Sequence, residues 1–199
     1  MSKQILVTGG AGYIGSHTVV ELINAGYIPI IVDNLSNSSI KVLDRVELIT
    51  GVRPAFYQHD IRDTLAMAEI LNNHKIDGVI HFAALKAVSE SVQIPLEYYQ
   101  NNVGGSIMLF KQLRDYDIKT IVFSSSATVY GDVHATPIME DFPLKPTNPY
   151  GWSKLMIEQI LCDLHTSDNQ FKIGILRYFN PVGAHISGLI GEDPRGVPN

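Results

Sequence analysis

The sequence predicts an α/β domain, an open and doubly wound parallel sheet with helices on both faces. Three observations lead to it. Short, nearly continuous apolar runs recur along the chain, as expected of strands buried on both faces. Each run is separated from the next by a segment long enough to hold a helix. The first two runs, with a glycine turn and an amphipathic stretch between them, form a β-α-β unit of about 30 residues.

Gln4 to Thr8 is apolar and β-branched, ends in glycines, and reads as the first strand. Tyr13 to Ala25 carries Ile14, Val19, Leu22 and Ile23 before Gly26 and reads as the first helix. Ile28 to Val32 is the second strand, with Pro29 near its start and Asp33 and Asn34 at its end. Later strands are predicted at Ala55 to Gln58, Gly78 to Phe82, Thr120 to Phe123 and Lys172 to Leu176. Helices are predicted at Thr64 to Asn73, Pro95 to Tyr116 and Pro149 to Thr166, the last with Asn148 as cap and Pro149 in the first helical position. His185 to Asn199 is rich in Gly and Pro, lacks periodicity and reads as a linker. The expected division is therefore a sheet domain over 1–180, with 181–199 as linker and opening of a second domain largely absent from these residues.

With 199 residues, 45% of them hydrophobic, the chain can bury one sizeable core but is short for two full domains. A net charge of −5 with no basic cluster argues against nucleic acid or an anionic membrane surface as partner and favours small molecules. The single cysteine, Cys162, cannot form an internal disulfide, in keeping with a reducing, cytoplasmic setting. Its apolar helix neighbours predict that it packs in the core. A strand pattern stands where a secretory apolar region would sit, and no apolar run reaches the roughly 18 residues of a membrane span, so a soluble, unexported protein is expected. The histidines show no paired ligand spacing, so no metal is expected. His81, at the end of a buried strand, reads as a satisfied core side chain.

Gly9, Gly12 and Gly15 lie between the first strand and the first helix. Glycine permits a tight turn and lets the backbone approach a pyrophosphate, while the helix amino terminus supplies free N–H groups and partial positive charge. Asp33, ending the second strand, is suited to accept hydrogen bonds from adenosine ribose hydroxyls and would repel a 2′-phosphate, which favours NAD over NADP. An aspartate there is also a common turn former. Within a β-α-β frame and beside the glycine turn, the ligand reading prevails, and the domain is of Rossmann type.

Tyr150 and Lys154 stand one helical turn apart on one face of a predicted helix. A phenol is a poor base at neutral pH, and a neighbouring ammonium and a nicotinamide cation would favour its phenolate. Ser124, Ser125 and Ser126 follow the predicted strand at Thr120 to Phe123, at the strand end where open α/β sheets bind ligands. One of them, taken as Ser126, is expected to bond the substrate oxygen that Tyr150 deprotonates; the other two are expected to satisfy loop backbone.

The segments TGGAGYIGSH, VDNLSNSS, HFAALKAV, LEYYQNNVGG, FSSSATVYGD, PTNPYGWSKLMIEQIL and LRYFNPVGAH resemble, from end to end of the chain, the UDP-glucose 4-epimerase family of extended short-chain dehydrogenases. The resemblance implies a bound NAD, with Gly9, Gly12, Tyr13, Ile14 and Gly15 at the phosphates. Asp33, Asn34 and Asn37 fall on the adenosine side, and Asp60 with Ile61 at the adenine. Phe82, Ala83, Ala84, Leu85, Lys86 and Asn101 would line the middle of the cofactor, and Ser124, Tyr150, Lys154 and Phe179 its nicotinamide end. Ala84 replaces a glycine of some members, tolerable where the backbone is not at positive φ. Ser126, Tyr150 and Asn180 would meet the UDP-sugar substrate.

The implied activity interconverts UDP-glucose and UDP-galactose: NAD-dependent oxidation at C4′ with Tyr150 as base, turnover of the 4-keto sugar, and re-reduction from its other face. Ser126 and Tyr150 would exchange proton-handling roles for the two epimers. The resemblance also implies a homodimer through the helices at Pro95 to Tyr116 and Pro149 to Thr166, and a chain of this length is expected to turn substrate over weakly or not at all. Two alternatives differ in their demands. Nucleotide-sugar dehydratases carry an acidic pair where this chain has Ala127 and Thr128, and elimination has no obvious catalyst without it. A non-catalytic NAD-binding regulator on the same fold would not need Tyr150, Lys154 and Ser126 together.

Overall fold

The computed structural model describes residues 2–132 and 135–193. Six parallel strands form one sheet in the order β3-β2-β1-β4-β5-β6: β1 (Gln4–Thr8), β2 (Ile28–Val32), β3 (Ala55–Tyr57), β4 (Ile76–His81), β5 (Thr120–Ser126) and β6 (Lys172–Tyr178). The chain winds outward from β1 through β2 to β3, then returns to β4 and winds the other way. The reversal opens a crevice between the carboxyl ends of β1 and β4, where ligands bind in such sheets.

Successive strand residues face opposite sides, so an apolar run supplies two cores. Leu6, Ile30, Val32, Val79, Ile121 and Phe123 pack on one face with α3 (Thr64–Asn73), α6 (Gly105–Asp115) and α7 (Pro149–Ser167). Val7 and Ile31 pack on the other with Val19 and Val20 of α1 (Tyr13–Asn24) and with Leu43 and Val46 of α2 (Lys41–Thr50). The pairing of β1 with β4 slips by one residue between Gln4 and Ile5, and the Asp77 carboxylate accepts the Gln4 N–H at 2.8 Å. α3 starts at the Asp63 cap and α7 at the Asn148 cap, whose Oδ1 accepts the Gly151 N–H at 2.8 Å, with Pro149 first in the helix as predicted.

Several predicted bounds change. α2 and the short helices α4 (Val88–Gln93) and α5 (Pro95–Tyr98) occupy stretches for which the apolar pattern named no separate helix. The single helix predicted over Pro95 to Tyr116 is α5, a π-helical turn over Tyr99–Gly104, then α6. Asn102 inside the wide turn explains it: this buried side chain accepts from Leu85 N at 2.8 Å and donates to Leu85 O and to Ser153 Oγ, bonds a straight α-helix would have to forgo. β5 runs through the serines, which pair with Leu176, Arg177 and Tyr178 of β6 rather than following the strand in a loop. Cys162 is exposed, not in the core, because α7 buries the stripe through Lys154, Ile157, Glu158 and Leu161. After Tyr178 the described chain is irregular apart from a bridge between Ala184 and Gly191, and Ile190 is buried in the α1/α2 core. The end of the predicted linker, 194–199, lies outside the described residues.

His81 is satisfied, as expected. Ser106 Oγ donates to Asn102 O at 2.6 Å, so it accepts from His81 Nε2–H at 2.9 Å, which leaves Nδ1 to accept from the Thr8 hydroxyl at 2.7 Å. Burial, with Lys154 nearby, lowers its pKa to about 3 and keeps the ring neutral.

Candidate active site

A groove of about 740 Å3 follows the carboxyl ends of the strands across the reversal of winding, and every site residue expected from the sequence lines it. At its centre is the glycine turn. Gly9 adopts φ +70°, and a Cβ there would stand 2.7 Å from the Ala83 nitrogen. A Cβ on Gly15 would stand 2.3 Å from the Gly9 carbonyl oxygen. The turn is thus a backbone-to-backbone fit. Gly12 precedes α1 with no side-chain cap and no acidic residue in the first helical turn, which leaves amide donors and positive potential facing the groove. Those features suit a pyrophosphate.

Asp33, 8% exposed, fills the turn-forming role weighed for it and also lines the groove. Its Oδ2 accepts from Ala11 N at 3.0 Å, and its Oδ1 from Leu35 N at 2.8 Å and Ser38 Oγ at 2.9 Å, so it ties the glycine turn to the loop after β2. Leu35 sits at φ 60°, a strained setting that this bond stabilises. One acceptor position on Oδ2 remains for a hydroxyl. Asn34 donates to Asp60 at 3.0 Å, and the Arg62 guanidinium holds the Asp60 carboxyl down to about 2. Asn37 lines the same end. Ile61 is largely a core residue at 7% exposure, with a remaining edge on the groove.

Along the middle, Phe82 N and Ala83 N both donate to Thr8 O, which fixes the chain leaving β4 across β1. Asn102 holds Leu85 by both backbone groups and accepts from Asn101 at 2.9 Å. Ala84 is not at positive φ, so its Cβ brings no backbone strain. The irregular segment after β6 borders the groove: Tyr13 donates to Gly183 O at 2.6 Å, and Lys86 meets Glu192 at 3.2 Å. Phe179 and Asn180 form the exposed wall beyond β6.

Tyr150, Lys154 and the serines close the far end. Lys154 is buried; its Nζ donates to Ser124 O at 2.7 Å and lies 4.9 Å from the Phe123 ring centre and 5.8 Å from that of Tyr150. Burial lowers its pKa to about 7, against the pull of Glu158. Ser126 Oγ accepts from Thr128 N at 3.2 Å and from Thr128 Oγ1 at 2.9 Å. Both its acceptor positions are then filled, and its proton is left for the Tyr150 oxygen, its other partner. Burial pushes the Tyr150 phenol up, and the Ser126 bond works against that. Lys154 gives one of its three donors to the Ser124 carbonyl and stands beside the Tyr150 ring, one turn along the helix as the spacing predicted.

Of the other two serines, backbone service had been expected from the residues, and for Ser124 also a place at the nicotinamide end from the resemblance. Ser125 instead donates its hydroxyl to the buried carboxylate of Glu158, while Ser124 serves Lys154 through its carbonyl. Thr128, Asn102, Glu158 and Arg177 were missed as site residues. Glu158 was the easiest to find, since it continues the one-turn spacing of Tyr150 and Lys154.

Fold and groove together define a doubly wound α/β protein with a dinucleotide-type crevice and a Tyr-Lys-Ser cluster at one end. The model of the NAD dependent epimerase/dehydratase family matches residues 5–195, and the chain belongs to that family. It is 60% identical to the UDP-glucose 4-epimerase of Bacillus subtilis (strain 168), over 98% of this chain and 58% of that protein. It is 59% identical to the UDP-glucose 4-epimerase of Dictyostelium discoideum, over 100% of this chain and 58% of that one. The crystal structure of the Bifidobacterium longum UDP-glucose 4-epimerase in complex with NAD+ and UDP superposes with a TM-score of 0.96 at 54% identity, covering 98% of this chain and 59% of that one. The chain thus spans a little under three-fifths of the length of the relatives it matches.

Proposed function

We propose that this chain supplies the NAD site and the oxidising residues of a UDP-glucose 4-epimerase. The observation that carries the reading is the run of one groove from the Asp33 and glycine-turn end to Tyr150, Lys154 and Ser126, matched to relatives of that name at 60% identity. The α1 amino terminus and the Gly9–Gly15 cradle would hold the pyrophosphate, Asp33 the adenosine ribose, and Phe82 to Lys86 with Asn101 the middle of the dinucleotide. Bound NAD supplies the hydride acceptor and donor at C4′ of the sugar. Tyr150 takes the proton of the 4′-hydroxyl, Ser126 donates to the oxygen that carries the charge, and Asn180 contacts the diphosphate side.

Thr128 favours epimerisation over dehydration. Its hydroxyl is spent on Ser126, and neither it nor Ala127 offers the carboxyl group that elimination requires. The further assignments belong to the same reading: a binding domain over 1–180 followed by a linker, a UDP-sugar as substrate, a cytoplasmic setting, and a homodimer. Among the described residues no helix is long and apolar enough to cross a membrane. The dimer has support in an open furrow of about 300 Å3 between α6 and α7, bordered by Ile107, Phe110, Ile160 and Leu164. Sedimentation of wild type against Ile107→Glu tests it, with a lighter species expected from the variant.

Incubation with NAD and UDP-galactose, followed by chromatography of the sugar nucleotides, tests the activity of the protein that carries this chain. UDP-glucose is the expected product. A 4-keto-6-deoxy sugar, or unchanged UDP-galactose, would refute the assignment.

A further inference from the structure

Behind Lys154 lies a buried ionic group to which no role has been given. Glu158, 4% exposed and one turn after Lys154 on α7, receives the Arg177 guanidinium in a forked contact, Nε to Oε1 at 3.1 Å and NH2 to Oε2 at 2.8 Å. Ser125, on β5, donates its hydroxyl to the same carboxylate. Arg177, on β6, also donates to the Tyr130 hydroxyl at 2.8 Å and to Glu140 O at 3.0 Å. One carboxylate thus joins α7, β5, β6 and the segment after the short helix over Ala127–Tyr130.

The position matters more than the number of bonds. Ser125 stands between Ser124, whose carbonyl takes the Lys154 ammonium, and Ser126, which meets Tyr150. Side chains alternate along a strand, so Ser125 points away from the neighbours whose placement it decides. A carboxylate gripped by an arginine fork is a strong and directional anchor. A buried charge pair is weak evidence for stability by itself, because apolar packing serves that purpose as well.

We propose that Glu158 is a positioning residue: anchored by Arg177 and Ser125, it fixes the carboxyl end of β5 against α7, so that Ser124 holds Lys154 and Ser126 meets Tyr150. The inference rests on the reading of Tyr150 and Lys154 as the oxidising pair, and it adds a charge that acts on them from behind. The titratable and charged groups around Lys154 are Tyr150 and Glu158 on its own helix, His81 on β4, which is kept neutral, and Arg177 on β6, which is engaged by Glu158. Glu158 is the anion among them, and it raises the lysine against the burial that depresses it.

The test is a pH titration of the Lys154 side chain by NMR in 13C-labelled protein, its signal assigned by its loss in Lys154→Met. Glu158→Gln keeps the shape and removes the charge, and the midpoint should fall by roughly one pH unit or more. Ser125→Ala keeps the charge pair and removes only the tie to β5. It should alter both the Lys154 titration and the Tyr150 ring signals, with a fall in kcat on UDP-galactose at little-changed KM. Wild-type titration in Glu158→Gln, or wild-type signals in Ser125→Ala, overturns the proposal. If Glu158→Gln does not fold, Ser125→Ala decides alone. Wild-type protein that leaves UDP-galactose unchanged while Ser125→Ala still alters the Lys154 titration and the Tyr150 signals would sink the epimerase reading and uphold this one.

Discussion

Gly9→Ala and Gly26→Ala form a matched pair, because both positions have positive φ but different surroundings. Gly9 is at φ +70° and Gly26 at φ +81°. An alanine at either position takes on the left-handed penalty of about 1–2 kcal/mol, reduced by about 0.4–1 kcal/mol because the unfolded chain is stiffened. A Cβ at Gly26 would meet nothing within 4 Å, so the net loss there is about 1 kcal/mol. At Gly9 the Cβ would stand 2.7 Å from Ala83 N and 3.0 Å from Phe82 C, both backbone atoms on the chain that leaves β4. They cannot rotate away, since Phe82 N and Ala83 N are bonded to Thr8 O. Overpacking of this kind adds about 1–3 kcal/mol. Gly9→Ala should therefore lose about 2–4 kcal/mol in urea unfolding, and NAD affinity in a titration at the same pH, while Gly26→Ala binds NAD as wild type does. Equal stabilities for the two variants would mean that the close approach of β1 and β4 does not constrain the turn.

Thr128→Val should reduce kcat on UDP-galactose roughly fivefold to tenfold, with the ascending limb of the pH profile moved upward, because Ser126 no longer has its proton directed at Tyr150. Thr128→Ser should recover most of the loss; equal losses in the two variants would show that the hydroxyl is not the cause. His81 has a depressed folded pKa, from 6.5 to about 3, so the unfolded chain binds the extra proton between those values and stability falls as pH falls through that window. Its share of the slope approaches about 1.4 kcal/mol per pH unit. Urea midpoints taken between pH 7 and 4.5, above the range in which Asp60 titrates, should fall less steeply in His81→Asn, and parallel slopes would refute the account. Asp33→Asn combined with Asn34→Arg should shift the ratio of NAD to NADP affinity toward NADP, and an unchanged ratio would remove Asp33 from the cofactor site.

Much of the sheet could be read from sequence because its boundaries are chemical. β1 and β2 end at glycines and at Asp33, where the pattern had put them, and α3 and α7 start at side-chain caps. α2 was harder, since it buries only Leu43 and Val46 and has no capping side chain. The serines at the end of β5 have little preference for strands, and what makes them strand is their pairing with β6, which composition does not encode. Cys162 shows the same limit in a helix, where the neighbours were apolar but their angular position decided exposure.

In the site, Tyr150 and Lys154 could be found from their spacing on one helix taken together with the serine segment that follows the strand beside it. The Glu158 contact with Ser125 and Arg177 joins residues far apart in sequence, and it exists only through the register that sets Ser125 opposite Arg177. Likewise the direction of the Ser126 proton is set by the two bonds that Thr128 makes to its oxygen, a local geometry that residue spacing does not reveal.

The π-helical turn at Tyr99–Gly104 acts as a phase slip in a screw. Each residue of an α-helix advances about 100° around the axis, so one residue absorbed in a wide turn rotates the helix before it against the helix after it by about that angle. On the downstream side Leu109 and Leu113 keep their seat in the core, and on the upstream side Tyr98 is buried with its hydroxyl on Ala87 O. Removing one residue from the turn would leave composition, charge and helical content nearly unchanged, yet only one of those two faces could remain seated. In this stretch of chain, residue number carries as much information as residue type.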